Sequence, residues 1–128
     1  MSNFSVLIVE DDYILAQMAK MQIAQEGYEV IGPVDSIDKA IESCREITPA
    51  VIIMDIQLKG EPDGIDGAKM ISEACNCSIP IIYMTGNSDM STKSKARDTT
   101  GCEEFLVKPV EQEALLKAIK KIFDRTQE

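Results

Sequence analysis

The chain has 128 residues, 45% hydrophobic and 27% charged, a balance that fills one core and excludes a disordered polyelectrolyte. Its net charge of -9 argues against general attraction to a nucleic-acid backbone, and the excess is local: residues 1–89 hold 5 basic and 15 acidic side chains, residues 90–128 hold 8 and 7. There is no histidine, which excludes Ser-His-Asp and Cys-His catalysis and a phosphohistidine-carrier role, and which argues that Cys44, Cys75, Cys77 and Cys102 are reduced thiols rather than zinc ligands.

In chain order, Val6–Val9 is an apolar run within a first strand over 5–9, and it ends in Glu10-Asp11-Asp12. Asp12 is placed to cap a helix over 13–26, with Ile14, Leu15, Met18, Ala19 and Ile23 as one apolar stripe and Gly27 as its stop. A second strand spans Glu29–Val34, and Asp35 or Ser36 caps a helix carrying Ile37, Ala40, Ile41, Cys44 and Ile47. Pro49 separates that helix from a third strand, 50–54, which delivers Asp55. The turn-rich stretch Lys59-Gly60-Glu61-Pro62-Asp63-Gly64 precedes a helix over 65–75, with Ala68, Ile71, Ser72 and Cys75 inward. After Pro80 a fourth strand, 81–85, ends in Thr85-Gly86, and a polar helix over 90–99 carries Lys93, Lys95 and Arg97. A fifth strand, 104–107, ends in Lys108-Pro109. The last helix, 111–124, turns Leu115, Leu116, Ala118, Ile119, Ile122 and Phe123 inward. No apolar stretch approaches the ~20 residues a membrane helix needs. Met1-Ser2-Asn3-Phe4 lacks the basic start and long apolar stretch of a signal peptide, so the expected location is the cytoplasm, with no membrane insertion.

The alternation reads as (βα)5. The first, third and fourth strands are apolar at successive positions, which indicates a parallel sheet covered on both faces. In such a sheet ligands bind along the carboxyl edge of the strands, so Glu10, Asp11, Asp55, Thr85 and Lys108 converge there. Adjacent carboxylates repel unless a cation relieves them, and magnesium accepts oxygen ligands with several waters. Asp55 fits two compatible roles, metal ligand and nucleophile toward a phosphoryl donor. Lys108 is placed to pair with its carboxylate and then with phosphoryl oxygens, and Thr85 to hydrogen-bond one of them. Taken singly these residues have plainer readings: Asp12 as a helix cap, Lys108 as a surface charge, Thr85 as a β-branched strand residue.

The segments Val9-Glu10-Asp11-Asp12, Met54-Asp55-Ile56-Gln57-Leu58, Asp63-Gly64, Met84-Thr85-Gly86 and Phe105-Leu106-Val107-Lys108-Pro109, in that order at strand ends, resemble the receiver domain of two-component response regulators, the CheY-like family. The resemblance spans almost the whole chain and implies one receiver domain over 1–128, flavodoxin-like, with strand order 2-1-3-4-5. It implies Asp55 as phosphoacceptor and Asp11 as direct magnesium ligand, with Glu10 acting through water and Gln57 lending its main-chain carbonyl; manganese would substitute for magnesium. It implies Thr85 and Lys108 as phosphoryl-binding side chains, Phe105 as the aromatic position that moves with Thr85, and Gly86 and Asn87 at the access to the site. Two departures stand out. Lys59 occupies a place where many receivers have proline, in a loop one residue longer, and Phe105 brings no hydroxyl where others carry tyrosine.

The expected function is a phosphorylation switch. A sensor histidine kinase or histidine phosphotransfer protein would donate to Asp55, and a downstream protein or a second copy would read the fourth helix, fifth strand and fifth helix. The expected chemistry is confined to the chain's own phosphorylation and dephosphorylation, in a stand-alone regulator or a piece of a larger one. A magnesium-dependent aspartyl-phosphate phosphatase is the rival. It calls for a second acid two residues after the nucleophile, where this chain has Gln57. A nucleotide-binding module would need a glycine-rich fingerprint after the first strand, which the sequence lacks.

Overall fold

Ten elements alternate in the computed structural model, which describes residues 4–58, 63–86, 90–98 and 101–127: β1 (Ser5–Val9), α1 (Tyr13–Gln25), β2 (Glu29–Val34), α2 (Ile37–Glu46), β3 (Val51–Asp55), α3 (Gly64–Cys75), β4 (Ile81–Thr85), α4 (Met90–Arg97), β5 (Cys102–Val107) and α5 (Gln112–Thr126). The strands form one parallel sheet in the order β2-β1-β3-β4-β5. This is the expected doubly wound, flavodoxin-like arrangement, and β5 starts two residues earlier than its apolar run suggested.

The continuous apolar runs have a direct structural cause. Successive strand side chains point to opposite faces, and here both faces are covered. Leu7 and Val9 of β1, Ile52 and Met54 of β3, and Tyr83 of β4 pack with Ile37, Ala40 and Cys44 of α2, Ile65, Ala68 and Ile71 of α3, and Ala96 of α4. Val6 and Ile8, Val51 and Ile53, and Ile82 and Met84 pack on the other face with Ile23 of α1 and Leu115, Ala118, Ile119 and Ile122 of α5. Every residue of β1, β3 and β4 is buried, whereas the edge strands β2 and β5 are half-exposed. Each fully buried Ile or Leu contributes about 2 kcal/mol relative to exposure, so the three central strands carry the largest share of the packing energy.

Local signals set the helix ends. Asp12 Oδ1 accepts from the Leu15 N–H at 3.1 Å, and Asp63 Oδ1 from the Asp66 N–H at 2.9 Å. Ser36, not Asp35, caps α2 through the Lys39 N–H at 3.2 Å, while Asp35 pairs with the Lys39 ammonium at 3.0 Å. Gly27 follows α1 at φ 93°, a conformation glycine adopts without penalty.

The apolar stripe expected on α1 needs correction. Ile23 is buried, but Ile14 is 68% exposed, Met18 50% and Leu15 41%, and the other buried residue of the helix is Ala16. The helix is apolar on nearly all sides, with Tyr13 and Met21 also exposed, so spacing alone does not choose its inner face. Among the described residues no helix is long and apolar enough to cross a membrane. The Lys59–Pro62 stretch of the long loop lies outside the described residues.

Candidate functional site

The parallel sheet delivers four strand ends to one edge. Asp55 is the last residue of β3 and Glu10 follows β1, and both are buried. Thr85 ends β4, also buried. Lys108 follows β5, its N–H donating to the Thr85 carbonyl at 2.6 Å, which extends the β4–β5 ladder by one rung. That rung aims the lysine back across the sheet edge. Its Nζ lies 3.1 Å from Glu10 Oε1 and 3.2 Å from Asp55 Oδ2. The other carboxylate oxygens take main-chain donors: the Asp12 N–H reaches Glu10 Oε2 at 3.1 Å and the Gln57 N–H reaches Asp55 Oδ1 at 3.0 Å.

Asp11 completes an acidic cluster. One oxygen from each of Glu10, Asp11 and Asp55 lies within 4.8 Å of the others, and among the described residues this is the one acid or thiol group so arranged. Two like charges at that separation repel by about 3 kcal/mol at an effective dielectric constant of ~20, more than the ~1 kcal/mol net of one neutral hydrogen bond. Among the described residues, the lysine paired with this cluster is Lys108, against three carboxyls. The carboxyl of Glu10 is accordingly pushed up to about 7, by burial first and then by the hydrogen bond to and charge of Asp55, against the opposing pull of the Asp12 N–H and Lys108. For Lys108 burial works against the charge, but Asp55 and Glu10 outweigh it and raise its pKa. An all-oxygen donor set of excess negative charge at a sheet edge fits a hard divalent cation such as magnesium.

Two features of the site were absent from the sequence reading. The Gln57 side chain, anticipated only for its main-chain carbonyl, reaches over to β4: its Oε1 accepts from Thr85 Oγ1 at 2.7 Å and from the Gly86 N–H at 3.0 Å. Gly64 brings the start of α3 against the end of β3, its N–H donating to the Ile56 carbonyl at 2.9 Å. A Cβ there would collide with the Asp55 carbonyl oxygen and come within 2.8 Å of the Ile56 Cα, so only glycine permits this approach. The Asp63-Gly64 pair was legible as the end of a turn-rich stretch, but not for this close packing.

The model of the response regulator receiver domain family matches residues 6–120, nine-tenths of the chain. The chain belongs to that family. The receiver is 33% identical over 119 residues to the chemotaxis protein CheY of Thermotoga maritima, covering 91% of this chain and 95% of that protein. It is 32% identical to the transcriptional regulatory protein PdtaR of Mycobacterium tuberculosis over 123 residues, 96% of this chain, but spans only 58% of PdtaR's length. The crystal structure of the signal receiver domain of a modulated diguanylate cyclase from Desulfovibrio desulfuricans superposes with a TM-score of 0.82 at 30% identity, covering 96% and 95% of the two chains. Receivers are signalling switches of two-component systems rather than enzymes, and they bind magnesium through an acidic cluster.

On the far side of β4 from β3, the receiver's Phe105 is half-buried beside Tyr83, its register partner, with Lys93 Nζ of α4 at 6.0 Å from the ring centre. A groove of about 260 Å³ runs between Lys93 and Arg97 of α4 and Cys102–Phe105 of β5. Gly86, directly after β4, is exposed. Asn87 lies outside the described residues. All four cysteines are free, and burial pushes the Cys44 thiol up to about 12, which leaves it unreactive.

Proposed function

We propose that this chain, as one receiver domain, is the phosphoacceptor switch of a two-component phosphorelay, taking a phosphoryl group onto Asp55 from the phosphohistidine of a sensor kinase or a histidine phosphotransfer protein. The observation that most supports this reading is the setting of the Asp55 carboxylate: Lys108 Nζ at 3.2 Å on one oxygen, the Gln57 N–H at 3.0 Å on the other, and two further carboxyls beside it. A carboxylate oxygen of Asp55 forms the P–O bond as the donor's P–N bond breaks, the electron pair staying on the leaving imidazole nitrogen. Lys108 neutralises the carboxylate before transfer and pairs with phosphoryl oxygens after it. Thr85 donates its hydroxyl to one of them. Magnesium, or manganese in its place, would be held by Asp11, Asp55 and the Gln57 main-chain carbonyl, with Glu10 acting through water, and would screen the repulsion between anionic nucleophile and anionic donor.

The chain then catalyses no more than its own phosphorylation and dephosphorylation. The phosphatase alternative has no support at position 57, where an amide stands in place of the general acid. The output passes through α4, β5 and α5 to a downstream protein or a second copy, without direct nucleic-acid contact.

The test is intact-mass analysis after incubation with acetyl phosphate or phosphoramidate and magnesium. Wild type should gain one phosphoryl group, released by hydroxylamine, and Asp55→Asn should gain none. Equal labelling of the variant would overturn the assignment.

A further inference from the structure

We infer that the Gln57 side chain is a latch: its carbonyl oxygen occupies, in the unphosphorylated protein, the acceptor position that an oxygen of the Asp55-bound phosphoryl group takes over. The inference rests on Asp55 as phosphoacceptor. It starts from one oxygen that receives two donors from a different strand. Gln57 Oε1 accepts the Thr85 hydroxyl at 2.7 Å and the Gly86 N–H at 3.0 Å. The amide orientation follows from the second contact, since a main-chain N–H requires an oxygen and not the NH2 opposite it.

The same residue's own N–H already holds Asp55 Oδ1 at 3.0 Å. Gln57 therefore folds over the nucleophile with its backbone on the carboxylate and its side chain on the donors of β4. Thr85 is buried, and Gln57 is exposed. The latch is thus a solvent-side arm clasping an interior hydroxyl, and it can swing into water at little packing cost.

The competition is chemical. A hydroxyl and a main-chain N–H each carry one hydrogen, so neither serves two acceptors at full strength. A phosphoryl oxygen is charged and accepts more strongly than a neutral amide carbonyl. Phosphorylation would strip both donors from Gln57, and the amide would turn out to solvent. The latch has two effects. It keeps Thr85 and Gly86 satisfied and oriented while the site awaits a donor, and it sets a threshold that only a charged acceptor passes.

The experiment titrates magnesium-saturated protein with beryllofluoride, which stands in for the phosphoryl group, and follows the Gly86 amide by NMR. Gln57→Ala removes the competing acceptor and should bind beryllofluoride several-fold more tightly. Gln57→Glu puts a charged acceptor on the same two donors and should bind it several-fold more weakly. The Gly86 resonance should differ between free wild type and free Gln57→Ala, and coincide once both are loaded. Unchanged or weaker binding by Gln57→Ala, or a Gly86 resonance that the substitution leaves in place, overturns the latch while leaving Asp55 as acceptor. No beryllofluoride binding by wild type overturns the acceptor reading itself.

Discussion

Glu10 carries a carboxyl pushed up to about 7 by burial and by the neighbouring Asp55. An acid whose folded pKa exceeds its ordinary 4.5 keeps a proton that the unfolded chain has already lost, so stability falls as pH rises from about 4.5 to about 7. In metal-free protein, Glu10→Gln should therefore gain in melting temperature over wild type as pH goes from 5 to 8, the gap opening to a few degrees. Thermal melts in the presence of a chelator measure it, and a gap that narrows with rising pH would contradict the sign argued here. Added magnesium should close much of the gap, since the cation relieves the same repulsion that the proton does. At this scale the sequence exposes residue types at strand ends and, through their opposite charges, the Lys108–Asp55 pair, found at 3.2 Å. Asp55, Glu10, Thr85 and Lys108 were legible because each terminates an apolar run. The reach of Gln57 to Thr85 was not, because 28 positions separate them and only the folded sheet sets their distance.

The described side chains of α4 give it little hold on the body of the protein. Of its described side chains only Ala96 is buried, and Lys95 ties it to α3 through exposed pairs with Asp66 at 3.6 Å and Asp63 at 4.0 Å. Exposed ion pairs of this kind contribute at most ~1 kcal/mol, so α4 can shift at low cost. Phe105 beside it is half-buried, and in the proposed switch its ring turns further in as Thr85 is drawn toward Asp55. Amide NMR with and without beryllofluoride should place the changes beyond the metal site in residues 85–108 and the start of α5. Distant changes on α1 and α2 instead would sink this account of the output surface. The elements themselves were legible to within a residue or two because apolar runs, glycines and caps agree with one another. The inner face of α1 was not, because a helix apolar on most sides gives its periodicity nothing to choose between.

Across the whole molecule, the acidic edge couples ligand to stability. Three carboxyls held within 4.8 Å of one another exist only in the folded chain. A cation binding there stabilises by mass action, about 2.7 kcal/mol at a hundredfold excess over Kd. For a chain of this size that corresponds to a melting temperature higher by about 10 °C. Magnesium should produce that rise in wild type, and Asp11→Ala should abolish it. An unchanged response in the variant would place the cation elsewhere.

The ion pair from Lys108 to Glu10 joins positions 98 residues apart. Translation delivers the N-terminal portion first, so on the ribosome Glu10 and Asp55 both emerge well before their counter-charge is made. Until β5 has been synthesised and has joined β4, Glu10 and Asp55 lack the ammonium of Lys108. The acidic edge therefore gains the Lys108 counter-charge only when β5 joins β4.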